Sequence, residues 1–270
     1  MRHLRQSLLF LLLALCALPA LAAMRADPVE WTLGDTTFRG MLVYDDANAI
    51  ARPGLVMVPD WMGMTDGAIA KAKHIAGSDY VVLVADVYGK DAQPADSTEA
   101  RALVGTLYAD VPALRARINK ALEVLRANAS GAPLDDARIA AFGYCFGGST
   151  VLELARSGAD IAAVVTFHGG LSTGMPAEPG AVKASVLVLN GADDKGTAGD
   201  VAGIKQEMDA AGVDWQFVDF SDTVHCFALP GANRPPGCVY NPLSAERAER
   251  MMFNFLDERF SHVDTRPPQM

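Results

Sequence analysis

The sequence predicts an α/β protein with a mainly parallel central sheet, helices on both faces and an N-terminal antiparallel hairpin. Three observations lead there. Short, continuous apolar runs recur along the chain, as expected of strands buried on both faces of a parallel sheet. Stretches with helical apolar spacing separate those runs, and this alternation builds such sheets. Finally, one run, residues 138–142, leads directly into the glycine-rich segment Gly143-Tyr144-Cys145-Phe146-Gly147-Gly148, the pattern of a sharp strand-to-helix turn.

The elements follow in order. Residues 30–33 alternate polar and apolar side chains and residues 37–44 do so more loosely. Gly34-Asp35 between them signals a hairpin, because glycine takes the positive φ of a tight turn without penalty. Residues 55–58 and 80–85 read as buried strands, with a crossover helix over 67–76. Residues 98–108 and 113–127 read as helices, the second placing Leu114, Ile118, Leu122 and Leu125 on one face. Further strands fall at 138–142, 161–167, 185–189 and 215–220, and further helices at 151–156, 201–211 and 245–260. The polar stretch 261–270, with Pro267-Pro268, reads as a loose tail. There is no internal repeat and no low-complexity segment.

The first residues resemble a secretory signal. Arg2, His3 and Arg5 form a basic start, and residues 8–18 form an apolar core too short to span a bilayer. Ala20-Leu21-Ala22 supplies a small-x-small cleavage site, so residues 1–23 are expected to be removed. Residues 24–270 then form one exported domain, periplasmic or secreted. Cys16 suggests a lipid anchor, but Leu15 is too bulky for a good acylation site. No later segment is long and apolar enough to span a membrane, so no membrane insertion is expected after cleavage.

The formal charge is −9; residues 1–23 hold two of the 23 basic residues and no acid, which leaves −11 for the remainder. Such a surface disfavours nucleic acid and anionic membranes as partners. A small-molecule substrate is the expected partner, and the sequence leaves the oligomeric state open. No His/Cys/Asp/Glu grouping has metal-ligand spacing. The glycines at 143–148 are not followed by the Lys-Ser/Thr of a phosphate loop. Neither a metal nor an organic cofactor is expected.

The chemistry centres on Cys145. In a small-x-nucleophile-x-small turn the flanking glycines avoid a backbone collision, and the nucleophile stands at a helix N-terminus. The free N–H groups and dipole there favour a thiolate and a developing oxyanion. Asp193 and Asp194 follow the strand 185–189, and His225 follows the strand 215–220. Nucleophile, acid and histidine in that order, each in a loop after a strand, is the order of an α/β-hydrolase triad.

With these residues, the chain resembles the dienelactone hydrolase family of α/β-hydrolases. The Cys-centred turn and the segment His225-Cys226-Phe227-Ala228 carry the resemblance, which extends from about Trp31 to Phe260. It implies the α/β-hydrolase fold and a Cys145–His225–Asp194 triad, with Asp194 rather than Asp193 favoured by the spacing from Gly191. It also implies an oxyanion hole made by the backbone N–H groups of Phe146 and Trp61. Asp60 stands where the family usually has a glutamate that contacts the resting thiol, so it either keeps that contact or binds backbone at the loop. The family holds its substrate carboxylate with two arginines. Here Lys90 stands near the first position and Leu229 occupies the second. Trp61, Phe146, Phe227 and Leu229 therefore suggest an apolar pocket for a neutral ester, thioester or lactone.

The expected activity is hydrolysis of a small carboxylic ester or lactone through an acyl-cysteine intermediate. The alternatives are a thioesterase or acyl transferase with the same triad, and a non-hydrolytic thiol redox or binding protein on this fold. Cys226 and Cys238 are either a disulfide beside His225 or two free thiols; if they pair, Cys145 is the unpaired thiol. His168-Gly169-Gly170 reads as a strand end packed beside the site. His74 reads as a helix-surface residue, and His262 lies in the tail.

Overall fold

The computed structural model describes residues 24–47, 49–128 and 131–261. The segment expected to be a signal and the expected tail beyond residue 261 lie outside these residues. Ten strands and six helices follow in the order β1 (Met24–Leu33), β2 (Thr36–Asp45), β3 (Arg52–Val58), α1 (Asp66–Ala76), β4 (Val81–Val84), α2 (Ser97–Ala109), α3 (Val111–Ala127) and β5 (Leu134–Tyr144). They continue with α4 (Phe146–Arg156), β6 (Ala163–Phe167), β7 (Ser185–Gly191), α5 (Val201–Ala210), β8 (Trp215–Phe220), β9 (Asn233–Arg234), β10 (Cys238–Val239) and α6 (Pro242–Ser261).

Eight strands form one sheet in the order β1-β2-β4-β3-β5-β6-β7-β8. The pairings β1–β2 and β2–β4 are antiparallel, and those from β4 through β8 are parallel. Gly34, at φ 57°, makes the turn of the expected hairpin. Because side chains alternate along a strand, each parallel strand feeds both faces. Val56 and Val58 of β3 join the cluster containing Leu114 and Ile118 of α3 and Leu152 of α4. Leu55 and Met57 join the one containing Ile75 of α1 and Met252 of α6.

Three differences from the expected elements bear on function. Helix α4 begins at Phe146, immediately after Cys145, as the strand-to-helix turn implies and five residues before the span 151–156 that apolar spacing marks; the weak helix formers Gly147 and Gly148 occupy its first turn. Strand β5 begins four residues earlier than its apolar run, at Leu134, beyond a register shift against β3. The ribbon of β9 and β10 was not anticipated, because two-residue strands show no alternation to read.

Candidate active site

Cys145, His168, Asp194 and His225 follow β5, β6, β7 and β8, and Trp61 follows β3. The topology thus gathers them along the carboxyl edge of the parallel strands, where open α/β sheets bind ligands. Cys145 sits at φ 53°, ψ −118°, a region a side-chain-bearing residue adopts only when its surroundings force it. The forcing is local. Cys145 N–H donates to the Phe167 carbonyl at 3.0 Å and its carbonyl accepts from Ser149 N–H at 3.1 Å. A Cβ on Gly147 would strike the Val58 and Pro59 carbonyl oxygens, and one on Gly143 would strike the Gly147 backbone. Gly147 is therefore required by the close approach of the turn to β3, and Gly143 by the close approach of β5 to the first turn of α4.

Helix α4 is buried along its whole length, and a charge cluster anchors its far end. Arg156, 1% exposed at the side chain, pairs with Glu153 at 2.9 Å and Glu207 at 2.8 Å, while Arg115 holds Glu153 at 2.8 Å.

His225 Nε2 lies 3.1 Å from Cys145 Sγ, and its Nδ1 lies 2.7 Å from Asp194 Oδ2. The other Asp194 oxygen accepts from Gly196 N–H at 2.8 Å. Asp194 is buried, whereas Asp193 is exposed. Asp193 instead ties the acid loop to the histidine loop, its N–H donating to the Thr223 carbonyl at 2.9 Å. Burial opposes a charge on His225. Its hydrogen bonds to Asp194 and Cys145 outweigh that and raise the imidazole from 6.5 to about 10.

Phe146 opens α4, so its N–H has no acceptor within the helix. Trp61 belongs to a tight turn in which Asp60 Oδ1 accepts from Met62 N–H at 2.8 Å and the Asp60 carbonyl from Gly63 N–H at 3.0 Å. The Tyr88 hydroxyl donates to the Trp61 carbonyl at 2.9 Å, and the Tyr88 ring stacks on Phe146 at 5.4 Å. The two expected oxyanion donors are thus braced by one tyrosine. Asp60 uses its carboxylate on its own loop. Burial pushes this carboxyl up, and the Met62 N–H and the Arg234 charge pull it partly back.

Two cavities meet at Cys145. The larger, about 580 Å³, is lined by Asp60, Trp61, Arg101, Cys145, His225, Leu229 and Arg234 among others. The smaller, about 220 Å³, is lined by Trp61, Tyr108, Cys145, Phe146, Thr197 and His225 among others. Two expected pocket residues are not among the lining of either. Lys90 is held at 3.0 Å by Glu30 of the N-terminal hairpin. Phe227 is fully buried and packs its ring against His168 at 5.1 Å.

The cations that do reach the larger cavity went unnoticed in the sequence. Arg101 of α2 and Arg234 of β9 both lie over the Trp61 ring, at 5.8 and 5.7 Å from its centroid. Among the described residues neither forms an ion pair with a carboxylate. Nothing in the sequence marked Arg101, an ordinary helix arginine. For Arg234 the hint was its place between Cys226 and Cys238, which are joined by a disulfide. His74 pairs with Glu249 at 2.7 Å on the surface. Among the described residues no cluster could hold a metal ion, and no helix is long and apolar enough to cross a membrane.

Comparison with known proteins places this geometry in context. The sequence profile of the Dienelactone hydrolase family matches residues 38–260. The solved structure of m3DLH superposes with a TM-score of 0.83 at 36% identity, covering 88% of this chain and 100% of that one. The dienelactone hydrolase-like promiscuous phosphotriesterase P91, from metagenomic libraries, gives 0.82 at 36% identity with the same coverage. An uncharacterised protein of Caenorhabditis elegans is 32% identical over 154 residues, 55% of this chain and 95% of that protein.

Proposed function

The chain belongs to the dienelactone hydrolase family and is an esterase-like α/β-hydrolase, and from that premise we propose that it cleaves a small carboxylic ester or lactone through a Cys145–His225–Asp194 triad. The observation that carries this reading is the position of His225, hydrogen-bonded to the Cys145 sulfur on one side and to the Asp194 carboxylate on the other.

His225 accepts the Cys145 thiol proton, which gives a thiolate and an imidazolium. Cys145 Sγ attacks the carbonyl carbon, and the oxyanion forms facing the N–H groups of Phe146 and Trp61. When the tetrahedral species collapses, the carbon–oxygen bond breaks and His225 Nε2–H gives its proton to the departing alkoxide. The acyl group stays on sulfur. Neutral His225 then takes a proton from water, which attacks the thioester carbon. The second collapse releases the acid and restores the thiolate–imidazolium pair. Asp194 holds Nδ1–H throughout and stabilises the charged ring.

The two cavities divide the substrate, one side receiving the acyl group and the other the leaving group. Arg101 and Arg234 favour a carboxylate or another anionic substituent in the larger cavity. This replaces the neutral-substrate expectation, which rested on Lys90 and Leu229 in place of two arginines and on the apolar Trp61, Phe146 and Phe227. Export to the periplasm or beyond is proposed from residues 1–23, and cell fractionation with and without them tests it.

The test of function is a panel of short aryl esters, aryl hemiesters of dicarboxylic acids, thioesters, unsaturated lactones and one phosphotriester. The wild type is run beside Cys145→Ala and His225→Ala. Hydrolysis of esters or lactones, with kcat/KM lost by orders of magnitude in both variants, supports the reading. A preference for thioesters would favour a thioesterase. Wild-type turnover no better than that of the variants would favour a thiol redox or binding role.

A further inference from the structure

The loop carrying His225 also forms one wall of the larger cavity, through Leu229, Pro230, Arg234 and Cys238. Phe227 and Ala228 are buried, but beyond them the loop has little core of its own. Strand β9 is exposed and β10 only partly buried, and an isolated two-stranded ribbon of this size is not independently stable. What returns the ribbon to the histidine is the segment 238–241. Cys238 forms a parallel bridge with His225, Val239 N–H donates to the His225 carbonyl at 3.1 Å, and Asn241 N–H donates to the Phe227 carbonyl at 3.1 Å. Both bonds flank Cys226, which is 5% exposed and sits at φ 65°, a conformation rare for a residue with a side chain. The Cys226–Cys238 disulfide spans this clamp.

We propose that Cys238 is a positioning residue for His225: its bond to Cys226 holds the 238–241 segment against the histidine loop and so aims the imidazole between Cys145 and Asp194. This rests on the proton-shuttle role of His225 proposed above. The geometry separates this role from general stapling. With the bond open, the anchor on the Asn241 side keeps the Asn241 side-chain bonds to the Asp222 carbonyl and Thr223 Oγ1, whereas the anchor at the His225 carbonyl depends on Val239 of the exposed ribbon. The ring then keeps its side-chain contacts with Asp194, Cys145 and His168 but loses a backbone anchor, and a displacement of about 1 Å at a catalytic group costs on the order of a hundredfold in rate.

The test compares wild type with the double variant Cys226→Ser, Cys238→Ser, and with wild type reduced by dithiothreitol and then desalted. Reduction converts the disulfide to two thiols with two electrons and two protons, the reductant closing to its cyclic disulfide. Two readouts are taken where circular dichroism shows the native fold: kcat on 4-nitrophenyl acetate, and the rate at which iodoacetamide alkylates Cys145, followed on its peptide by mass spectrometry at pH 6 and pH 9. The expected result is a fall in kcat of about ten- to a hundredfold together with a pH 6 to pH 9 alkylation ratio that drops toward that of His225→Ala. Reoxidation of the reduced protein restores both.

An unchanged kcat or an unchanged alkylation ratio overturns the proposal, even if the melting temperature falls. Loss of the fold in both the variant and the reduced protein also overturns it, since the bond would then be a structural staple. Alkylation needs no substrate, so this result stands apart from the function test: a wild type that hydrolyses nothing leaves the alkylation comparison intact.

Discussion

The His168 ring stands edge-on to the His225 ring, with centroids 5.0 Å apart and planes at 67°. His168 is 1% exposed, and among the described residues neither of its ring nitrogens has a hydrogen-bond partner. Burial, and secondarily the positive charge of His225, hold its pKa well below 6.5. The ring behind the reactive histidine is therefore a neutral aromatic wall, wedged between His225 and Phe227.

That arrangement makes the fold acid-sensitive. The unfolded chain takes a proton on His168 near pH 6.5 and the folded one refuses it, so stability is lost as pH falls below that value. Denaturant melts of wild type and His168→Asn, each referred to its own stability at pH 7.5, are expected to diverge between pH 7 and pH 5, with the wild type losing more. Parallel curves would refute the assignment.

His225 acts in the opposite sense. Its pKa is raised in the folded protein, to about 10, so its contribution to stability is complete below about pH 6.5 and disappears as pH rises through about 10. The stability difference between wild type and His225→Asn should be largest near pH 6 and shrink steadily toward pH 10. A difference that does not depend on pH would show that no charged imidazole is held.

The two adjacent acids should separate cleanly. Asp194→Asn removes the acceptor at His225 Nδ1 and is expected to lower kcat by about 10²- to 10⁴-fold. Asp193→Asn keeps the backbone bond to Thr223 and should leave kcat within about twofold, in line with the small effects of surface substitutions. Comparable losses in both would remove Asp194 from its role.

Arg101 and Arg234 should govern the choice between charged and neutral substrates. Replacing either with Met removes a charged donor contributing about 1.5–3 kcal/mol. KM for an aryl hemiester should then rise about ten- to a hundredfold while KM for the corresponding neutral ester barely moves. Equal effects on both substrates would mean that the guanidinium groups serve only to pack Trp61.

Arg156→Ala leaves Glu207 without its cation and Glu153 with Arg115 alone, a loss of up to about 3 kcal/mol. Thermal denaturation should show it as a large fall in melting temperature. A change within experimental error would mean that the carboxylates take up protons or find solvent.

Much of this was legible along the chain because the signals are local. A buried strand needs a continuous apolar run, and a helix repeats its apolar face every three to four residues. A nucleophile turn needs small residues on either side because backbone passes within contact distance. The order Cys145, Asp194, His225 could therefore be read without coordinates, as could the parallel sheet. Apolar spacing alone did not reach the start of α4, which only the turn motif marked, since Gly147 and Gly148 lower helix propensity for the same reason that they permit the turn.

By itself, then, the sequence determined the fold class, and it marked the residues proposed to react and the strand ends on which they stand. The tertiary structure decided what surrounds them. It removed Lys90 and Phe227 from the expected pocket and brought in Arg101 and Arg234 from α2 and β9. It also placed the neutral ring of His168 behind His225. The physical reason is that a side chain's periodicity fixes only its own element, whereas the approach of Arg101 and Arg234 to the Trp61 ring depends on how separate elements pack over the sheet, a sum of many weak and distant interactions that no short stretch of sequence contains.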